Sequence, residues 1–188
     1  MVVRIDGESL TIEKVHEVAR NHAKVKLSAK ARNAVKKCRE TVERLVKEGQ
    51  LIYGVTTGIG ELARVRVSKE MGEELQKRIV YSHAAGVGDF FEEDEVRAGM
   101  LLRANCLAKG YSAVRLSTLE TLIEMINRNV IPAINEKGSV GTSGDLSPLS
   151  QMAEVVMGQG RAFFNGKLMG GRKALEKAGL KPVKLSYK

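Results

Sequence analysis

The sequence predicts a mainly α fold, and three features support this prediction. Apolar residues recur at the three- and four-residue spacing of helices along most of the chain, Ser or Thr precedes several of these stretches, and glycine follows several of them. With 188 residues, of which 43% are hydrophobic, the chain can bury a core without disulfides or metals. We therefore expect one helical unit with short β-hairpins and loops between the helices.

The first three predicted helices each begin at a hydroxyl residue. Thr11, Ser28 and Ser68 can each accept a hydrogen bond from the first turn of the helix that follows. Gly49 is expected to end the second helix. The apolar stripes behind these caps are Ile12, Val15 and Ala19; Ala31, Val35, Cys38, Val42 and Leu45; and Met71, Leu75 and Ile79.

Shorter elements are predicted in the second half of the chain. Ser147 and Pro148 favour the start of a helix, as a capping hydroxyl and a proline at the first helical position, and Gly158 favours its end. The dipeptide Asn165-Gly166 favours a hairpin turn. The remaining expected elements are helices over residues 94–108, 112–128 and 172–177 and a hairpin over residues 163–168.

Charge and cysteine content restrict the possible partners and location. The formal net charge is +9, but Lys and Arg are dispersed and often lie beside Glu, and aromatic residues make up only 4% of the chain, which disfavours a nucleic-acid surface. The apolar runs are too short to cross a bilayer, and Asp6 and Glu8 stand where a signal peptide is apolar. We therefore expect a cytoplasmic protein in which Cys38 and Cys106 are buried free thiols.

Two stretches rich in Gly, Ser and Thr, residues 53–60 and 138–145, interrupt the helical pattern. Such stretches suit loops in which the backbone takes unusual angles and approaches a ligand closely. Residues 58–63 match the G-x-G-x-x-A dinucleotide motif, but the surrounding chain is helical, so we do not expect a nucleotide site. The histidines and cysteines lack the spacing of metal ligands, so no metal is expected.

Four segments resemble, in the same order, segments of the ammonia-lyases that act on histidine, phenylalanine and tyrosine, and of the related 2,3-aminomutases. Residues 138–149, GSVGTSGDLSPL, resemble the active-site loop of this family, and residues 53–60, YGVTTGIG, resemble its N-terminal tyrosine loop. Residues 76–88 and 103–115 fit the same family. The resemblance extends from about Leu10 to the last residue.

The resemblance implies a prosthetic group made from the chain itself. In this family the matching tripeptide, usually Ala-Ser-Gly, cyclises into 4-methylidene-imidazol-5-one, so Thr142, Ser143 and Gly144 are expected to form this group autocatalytically. Thr142 would contribute only its backbone carbonyl, so Thr in place of Ala should be tolerated. Asp145 is expected to support the closing ring by a hydrogen bond. The positive end of the helix near Pro148 would favour the negative charge that develops during addition.

The resemblance also implies roles for two side chains. Tyr53 is the candidate base for the β-proton of the substrate, a task for which the pKa of a phenol, ordinarily ~10, must be lowered. His83 is the candidate substrate contact, because an imidazole can exchange a hydrogen bond with either a ring nitrogen or a phenol oxygen. Residues 82–86 and 137–141 favour the histidine branch, whereas residues 103–115 fit the phenylalanine and tyrosine branches equally well.

The implied reaction is elimination of ammonia from an aromatic α-amino acid, with L-histidine to urocanate as the first choice, in a homotetramer. Tyrosine or phenylalanine lyase and 2,3-aminomutase remain alternatives, because the same prosthetic group serves all of them. Family members are much longer than 188 residues. We therefore expect residues 1–188 to be the N-terminal, prosthetic-group-bearing part, without the central helical bundle and C-terminal regions, and to act only in an assembly, as one of several copies or with a complementary C-terminal chain.

Overall fold

The structure is a computed structural model that describes residues 1–141 and 144–186. Within these ranges the chain forms seven α-helices joined by short strands and loops, which confirms the mainly α fold. No helix in these ranges combines the length and the apolar character that crossing a bilayer requires. The helices are α1 (Ile12–Ala19), α2 (Ala29–Lys47), α3 (Lys69–His83), α4 (Glu93–Ala108), α5 (Leu116–Asn127), α6 (Leu146–Val156) and α7 (Gly171–Lys177).

The predicted starts of the first three helices are confirmed. The side chains of Thr11, Ser28 and Ser68 each accept a hydrogen bond from the backbone nitrogen three residues on, as helix-capping residues do. Gly49 follows the end of α2 with a φ of +74°, a left-handed conformation that favours glycine. Local sequence therefore determines where these helices begin and where α2 ends.

The predicted start of α5 is wrong by four residues. We expected the helix to begin at Ser112, but it begins at Leu116, with Arg115 at the cap position. Ala113 has a φ of +55°, and a residue in this left-handed region cannot belong to a right-handed helix. Residues 112–115 therefore form a loop.

The predicted start of α6 is also shifted. The helix begins at Leu146 and has Asp145 at its cap position, so Ser147 and Pro148 are its second and third residues rather than its cap and first residue. A proline is tolerated there because the first four N–H groups of a helix have no partner within the helix. The shift moves the Ser147 hydroxyl from the cap into the first turn.

Short strands, most of which the sequence did not indicate, join distant parts of the chain. β1 pairs with β2 in parallel, β3 pairs with β5 antiparallel, and β4, β6 and β7 form a three-stranded sheet. The predicted hairpin is confirmed in β6 and β7, with Asn165 and Gly166 at φ +51° and +70° in its turn. The strands are β1 (Val2–Ile5), β2 (Lys24–Leu27), β3 (Val87–Phe90), β4 (Ile131–Pro132), β5 (Asn135–Lys137), β6 (Arg161–Phe164) and β7 (Lys167–Gly170).

The core lies where α4 packs against α1 and α5. Arg97 of α4 is a charged side chain buried in this core. It is 1% exposed and donates hydrogen bonds to the carbonyl oxygens of Val18 and Ile126 and to Oδ1 of Asn129. Val18 and Ile126 lie near the ends of α1 and α5, where helix carbonyls lack partners within the helix. Arg97 thus joins the ends of two helices through the core.

The two cysteines differ in burial. Both are free, as predicted, and Cys38 is half-buried, but Cys106 is exposed. The prediction that Cys106 is buried is therefore wrong. Its helix, α4, buries Ala104 and Leu107, and Cys106 lies two residues after Ala104, on the far side of the helix.

Candidate functional site

The loop of residues 53–60 is fixed by its own polar groups. Thr56 is 8% exposed, and its hydroxyl accepts a hydrogen bond from the backbone nitrogen of Ile52 and donates one to the carbonyl of Gln50, both at 2.8 Å. Thr57 is also buried, at 3% exposure. Buried hydroxyls that are satisfied by backbone groups specify one loop conformation.

This loop presents Tyr53 on its surface. Tyr53 is 62% exposed, and its phenol oxygen accepts a hydrogen bond from the backbone nitrogen of Gly60 at 3.1 Å. The carbonyl of Gly54 accepts a second bond, from Nε2 of Gln76 at 3.1 Å. Gln76 lies in α3, whose last residue is His83. The loop that carries Tyr53 is therefore anchored to the helix that carries the predicted substrate contact.

His83 is half-buried at the end of α3, and one of its ring nitrogens is engaged by the helix. Its Nδ1 lies 2.7 Å from the carbonyl oxygen of Ile79 and 3.1 Å from Oγ of Ser82. A carbonyl can only accept, so Nδ1 carries the hydrogen of that contact. In the neutral ring, Nε2 is then the acceptor.

Two glycines allow the segment after α3 to touch the loop that precedes α6. A Cβ built on Gly86 would lie 2.5 Å from Oε1 of Gln151. A Cβ built on Gly138 would lie 2.7 Å from Oγ of Ser147 and 3.0 Å from the Cα of Gly86. A larger residue at either position would have to displace its neighbours. The segment that follows His83 and the loop of residues 138–145 are therefore in direct contact.

A pair of side-chain amides holds the same junction together. Oε1 of Gln151 accepts a hydrogen bond from the backbone nitrogen of Asn135 at 3.1 Å, and its Nε2 donates to Oδ1 of Asn135 at 2.7 Å. Nδ2 of Asn135 in turn donates to the carbonyl of Gly88 at 2.7 Å. These bonds join α6, β5 and β3. The sequence does not indicate a role for Asn135 or Gln151, since nothing in their spacing distinguishes them from surface amides.

The described part of the loop of residues 138–145 is closed by a hydrogen bond between its two ends. Oγ of Ser139 donates to Oδ1 of Asp145 at 2.6 Å. Gly144 has a φ of +81°, in the left-handed region. Thr142 and Ser143, two of the three residues predicted to form the prosthetic group, lie outside the described residues. The roles predicted for Thr142, Ser143, Gly144 and Asp145 therefore stay predictions.

A cavity of about 280 Å³ opens beside this loop, on the side of α4. Ser139 and Asp145 line it, together with apolar residues that include Phe91 and Met152. Neither Tyr53 nor His83 lines it, so it is not the substrate site that the sequence predicts. Among residues 1–141 and 144–186, no group of three acidic, His or Cys side chains could hold a metal ion.

Comparison with known proteins identifies the family. A sequence model described as aromatic amino acid lyase matches residues 10–188. The chain belongs to the aromatic amino acid lyase family. This confirms the resemblance drawn from the four motifs, and it holds for nearly the whole chain.

Relatives of this lyase-family chain include both ammonia-lyases and aminomutases. The chain is 52% identical to the histidine ammonia-lyase of Alkaliphilus oremlandii and 53% identical to that of Caldanaerobacter subterraneus subsp. tengcongensis, covering 99% of this chain and 37% of each relative. Its structure matches the tyrosine aminomutase of Streptomyces globisporus with a TM-score of 0.94 at 42% identity, covering 100% of this chain and 35% of that one. The chain thus spans little more than a third of the length of these relatives.

Proposed function

We propose that the protein to which this chain belongs eliminates ammonia from an aromatic α-amino acid, and that its substrate is L-histidine, which yields urocanate. One observation carries the proposal. The contact between Gly86 and Gly138 joins the segment after His83 to the loop that bears Ser143 and Gly144. A substrate ring bound at His83 would then lie near the tripeptide. The names of the histidine ammonia-lyase relatives support the choice of substrate.

The residues around the tripeptide fit the prosthetic group that the resemblance implies. Ring closure requires the nitrogen of Gly144 to approach the carbonyl carbon of residue 142. A Cβ built on Gly144 would meet no atom within 4 Å apart from its chain neighbours, so this side of Gly144 is open. The bond between Ser139 and Asp145 keeps the ends of the loop together. Once formed, 4-methylidene-imidazol-5-one supplies an electron-poor alkene to which the amine of a substrate can add.

His83 supports a substrate whose ring carries a hydrogen-bond donor. Because Nδ1 is engaged by the carbonyl of Ile79, the neutral imidazole offers the lone pair of Nε2. An imidazole N–H or a phenol O–H can donate to that lone pair, whereas an unsubstituted phenyl ring cannot. We therefore infer that histidine or tyrosine is preferred over phenylalanine, with histidine first.

Tyr53 is our candidate for the base that removes the β-proton. Its phenol oxygen is oriented by the N–H of Gly60, and the loop that carries it is anchored to α3 by Gln76. The first contact orients the phenol oxygen within its loop, and the second holds the loop against α3. A base of this kind must be held close to one carbon of the substrate, which a rigid loop can do and a flexible one cannot.

A 2,3-aminomutase is the second candidate, and one observation favours it. The structure resembles a tyrosine aminomutase with a TM-score of 0.94 at 42% identity. In this alternative the released ammonia adds again at the β-carbon. Only the product distinguishes the two reactions, because the residues proposed for the site are the same.

We infer that activity requires more polypeptide than this chain. The chain spans 37% of the length of its histidine ammonia-lyase relatives, and Tyr53 is 62% exposed, so other residues must complete the pocket. A homotetramer, or a complementary C-terminal chain, would supply them. Isolated monomers of the chain are expected to have no lyase activity. The cytoplasmic location stays a prediction of the sequence.

The test combines mass and product analysis on the complete assembly. Its intact mass should be short of the unmodified sequence by two waters, localised to the peptide that contains residues 142–144. Incubation with histidine, tyrosine and phenylalanine should release urocanate fastest, and Ser143→Ala should abolish both the mass loss and the activity. Activity that survives in Ser143→Ala would refute the electrophile, and a β-amino acid product would establish the aminomutase.

A further inference from the structure

Gln76 of α3 binds the loop of residues 53–60 from outside the loop. Its Nε2 donates a hydrogen bond to the carbonyl oxygen of Gly54 at 3.1 Å, across 22 positions of the sequence. Other hydrogen bonds of the loop, such as the one at 3.1 Å from the backbone nitrogen of Gly58 to the carbonyl of Val65, join it to segments that are close in sequence. The bond from Gln76 therefore ties the loop to a helix that lies well beyond it in the chain.

This bond acts on the residue directly beside Tyr53. Gly54 has a φ of +66°, and its own N–H donates to Oγ1 of Thr57 at 3.2 Å. The N–H of Gly54 is thus bound within the loop, whereas its carbonyl is bound by α3. Because glycine can adopt many backbone conformations, bonds on both sides of the residue are needed to select one of them. The two bonds therefore select one backbone conformation next to Tyr53.

The helix that carries Gln76 also carries His83. Seven residues separate the two, which is close to two turns of an α-helix, so their side chains project from the same side of α3. Along the helix axis they are about 10 Å apart. One rigid element thus binds the loop that carries Tyr53 and bears the proposed substrate contact.

We propose that Gln76 is a positioning residue for the base, which keeps the loop of Tyr53 in the conformation that removes the β-proton. The inference rests on the proposed function. In that step the β-proton moves to the ionised phenol oxygen of Tyr53, its electron pair forms the new double bond, and the amine leaves. Gln76 exchanges no proton and acts through Gly54. Without its bond the loop samples other conformations, which slows proton removal and leaves substrate binding unchanged.

The first test measures steady-state kinetics on the complete assembly. Gln76→Met keeps the length of the side chain but has no donor, and Gln76→Glu keeps its shape but its carboxylate can only accept. One hydrogen bond corresponds to roughly a fivefold change in the equilibrium between the bound and the released loop, so Gln76→Met should lower kcat by roughly two- to fivefold with little change in KM. Gln76→Glu should be at least as slow. Arg78→Met, whose wild-type side chain is 75% exposed on the opposite side of α3, is the matched control and should keep the wild-type kcat.

A double-mutant cycle shows whether Gln76 acts through Tyr53. Tyr53→Phe removes the base, so adding Gln76→Met to it should cause no further loss of activity, whereas general damage to the fold would lower both backgrounds by the same factor. Hydrogen exchange followed by mass spectrometry is a second measurement, and it needs no activity. In Gln76→Met the amides of residues 54–60 should exchange roughly fivefold faster than in the wild type, and those of residues 161–164 should be unchanged.

Three results would overturn this inference alone. They are a wild-type kcat in Gln76→Met, an equal further loss in the Tyr53→Phe background, and unchanged exchange of residues 54–60. A wild-type assembly that releases no ammonia, or full activity in Tyr53→Phe, would instead refute the proposed function or its base, and this inference with it.

Discussion

Gln151 allows a direct test of how the two loops of the site are held together. Its side chain accepts a hydrogen bond from the backbone nitrogen of Asn135 and donates one to Oδ1 of Asn135. Gln151→Ala removes both bonds and leaves two polar groups of Asn135, a residue only 9% exposed, without these partners. Each such bond contributes about 1 kcal/mol net, and the unsatisfied groups add to the loss, so we expect a cost of about 2–3 kcal/mol.

Thermal unfolding followed by circular dichroism measures this effect. In a chain of this length each kcal/mol lowers the midpoint by roughly 2–4 °C, so Gln151→Ala should lower it by roughly 4–12 °C. Gln159→Ala is the matched control, because Gln159 is exposed and should shift the midpoint little. In a double-mutant cycle, the variant that carries both Asn135→Ala and Gln151→Ala should lose much less stability than the sum of the losses of the two single variants. Equal midpoints for Gln151→Ala and Gln159→Ala, or additive effects in the cycle, would refute the reasoning.

Three further predictions concern the fold that supports the site. Arg97→Met should lower the free energy of unfolding by about 3 kcal/mol in urea titrations, because buried carbonyls lose a charged donor; a change below about 1 kcal/mol would contradict this. In the same titrations, Gly110→Ala should lower the free energy of unfolding by about 1–3 kcal/mol more than Gly166→Ala does. Both glycines have a positive φ, but only at Gly110 would the added Cβ meet backbone, at 2.7 Å. Equal losses in the two variants would contradict this prediction. The backbone N–H of Ser9 above all lowers the pKa of Asp6 from 3.8 to about 2, so the stabilisation is complete above pH 3.8 and is lost toward pH 2. Asp6→Asn should therefore reduce the fall of the unfolding midpoint between pH 4 and 2, and an unchanged fall would contradict it.

Local sequence predicted most helices, because caps and stripes depend on neighbours within one turn. Thr11, Ser28 and Ser68 cap the helices expected of them. The predicted start of α5 is wrong because Ala113 has a left-handed conformation, which an alanine in the sequence does not indicate. The sequence does not predict the pairing of β1 with β2, for a different reason. The two strands are four residues each and are separated by α1, and such pairings depend on the packed structure rather than on local spacing.

The candidate site was predictable only in part. The four motifs indicated the residues proposed to carry the chemistry, among them Tyr53, His83 and Ser143, because each motif can be matched to the family position by position. They could not indicate which ring nitrogen of His83 is engaged, because that depends on where the carbonyl of Ile79 lies. They also gave no indication of Asn135 and Gln151, whose role comes from the hydrogen bonds that join α6, β5 and β3.

The contacts around Gly86 and Gly138 also bear on the proposal that residues 142–144 cyclise. Thr, Ser and Gly in sequence do not by themselves bring a glycine nitrogen to a carbonyl two residues earlier. In this chain one end of the loop is packed against Gly86, and its other end runs into α6, which the Asn135 and Gln151 amides join to β5. Apart from its chain neighbours, Gly144 has no atom within 4 Å of the position that a Cβ would take. For the ring closure proposed above, ends held in this way would lower the entropic barrier of an intramolecular reaction.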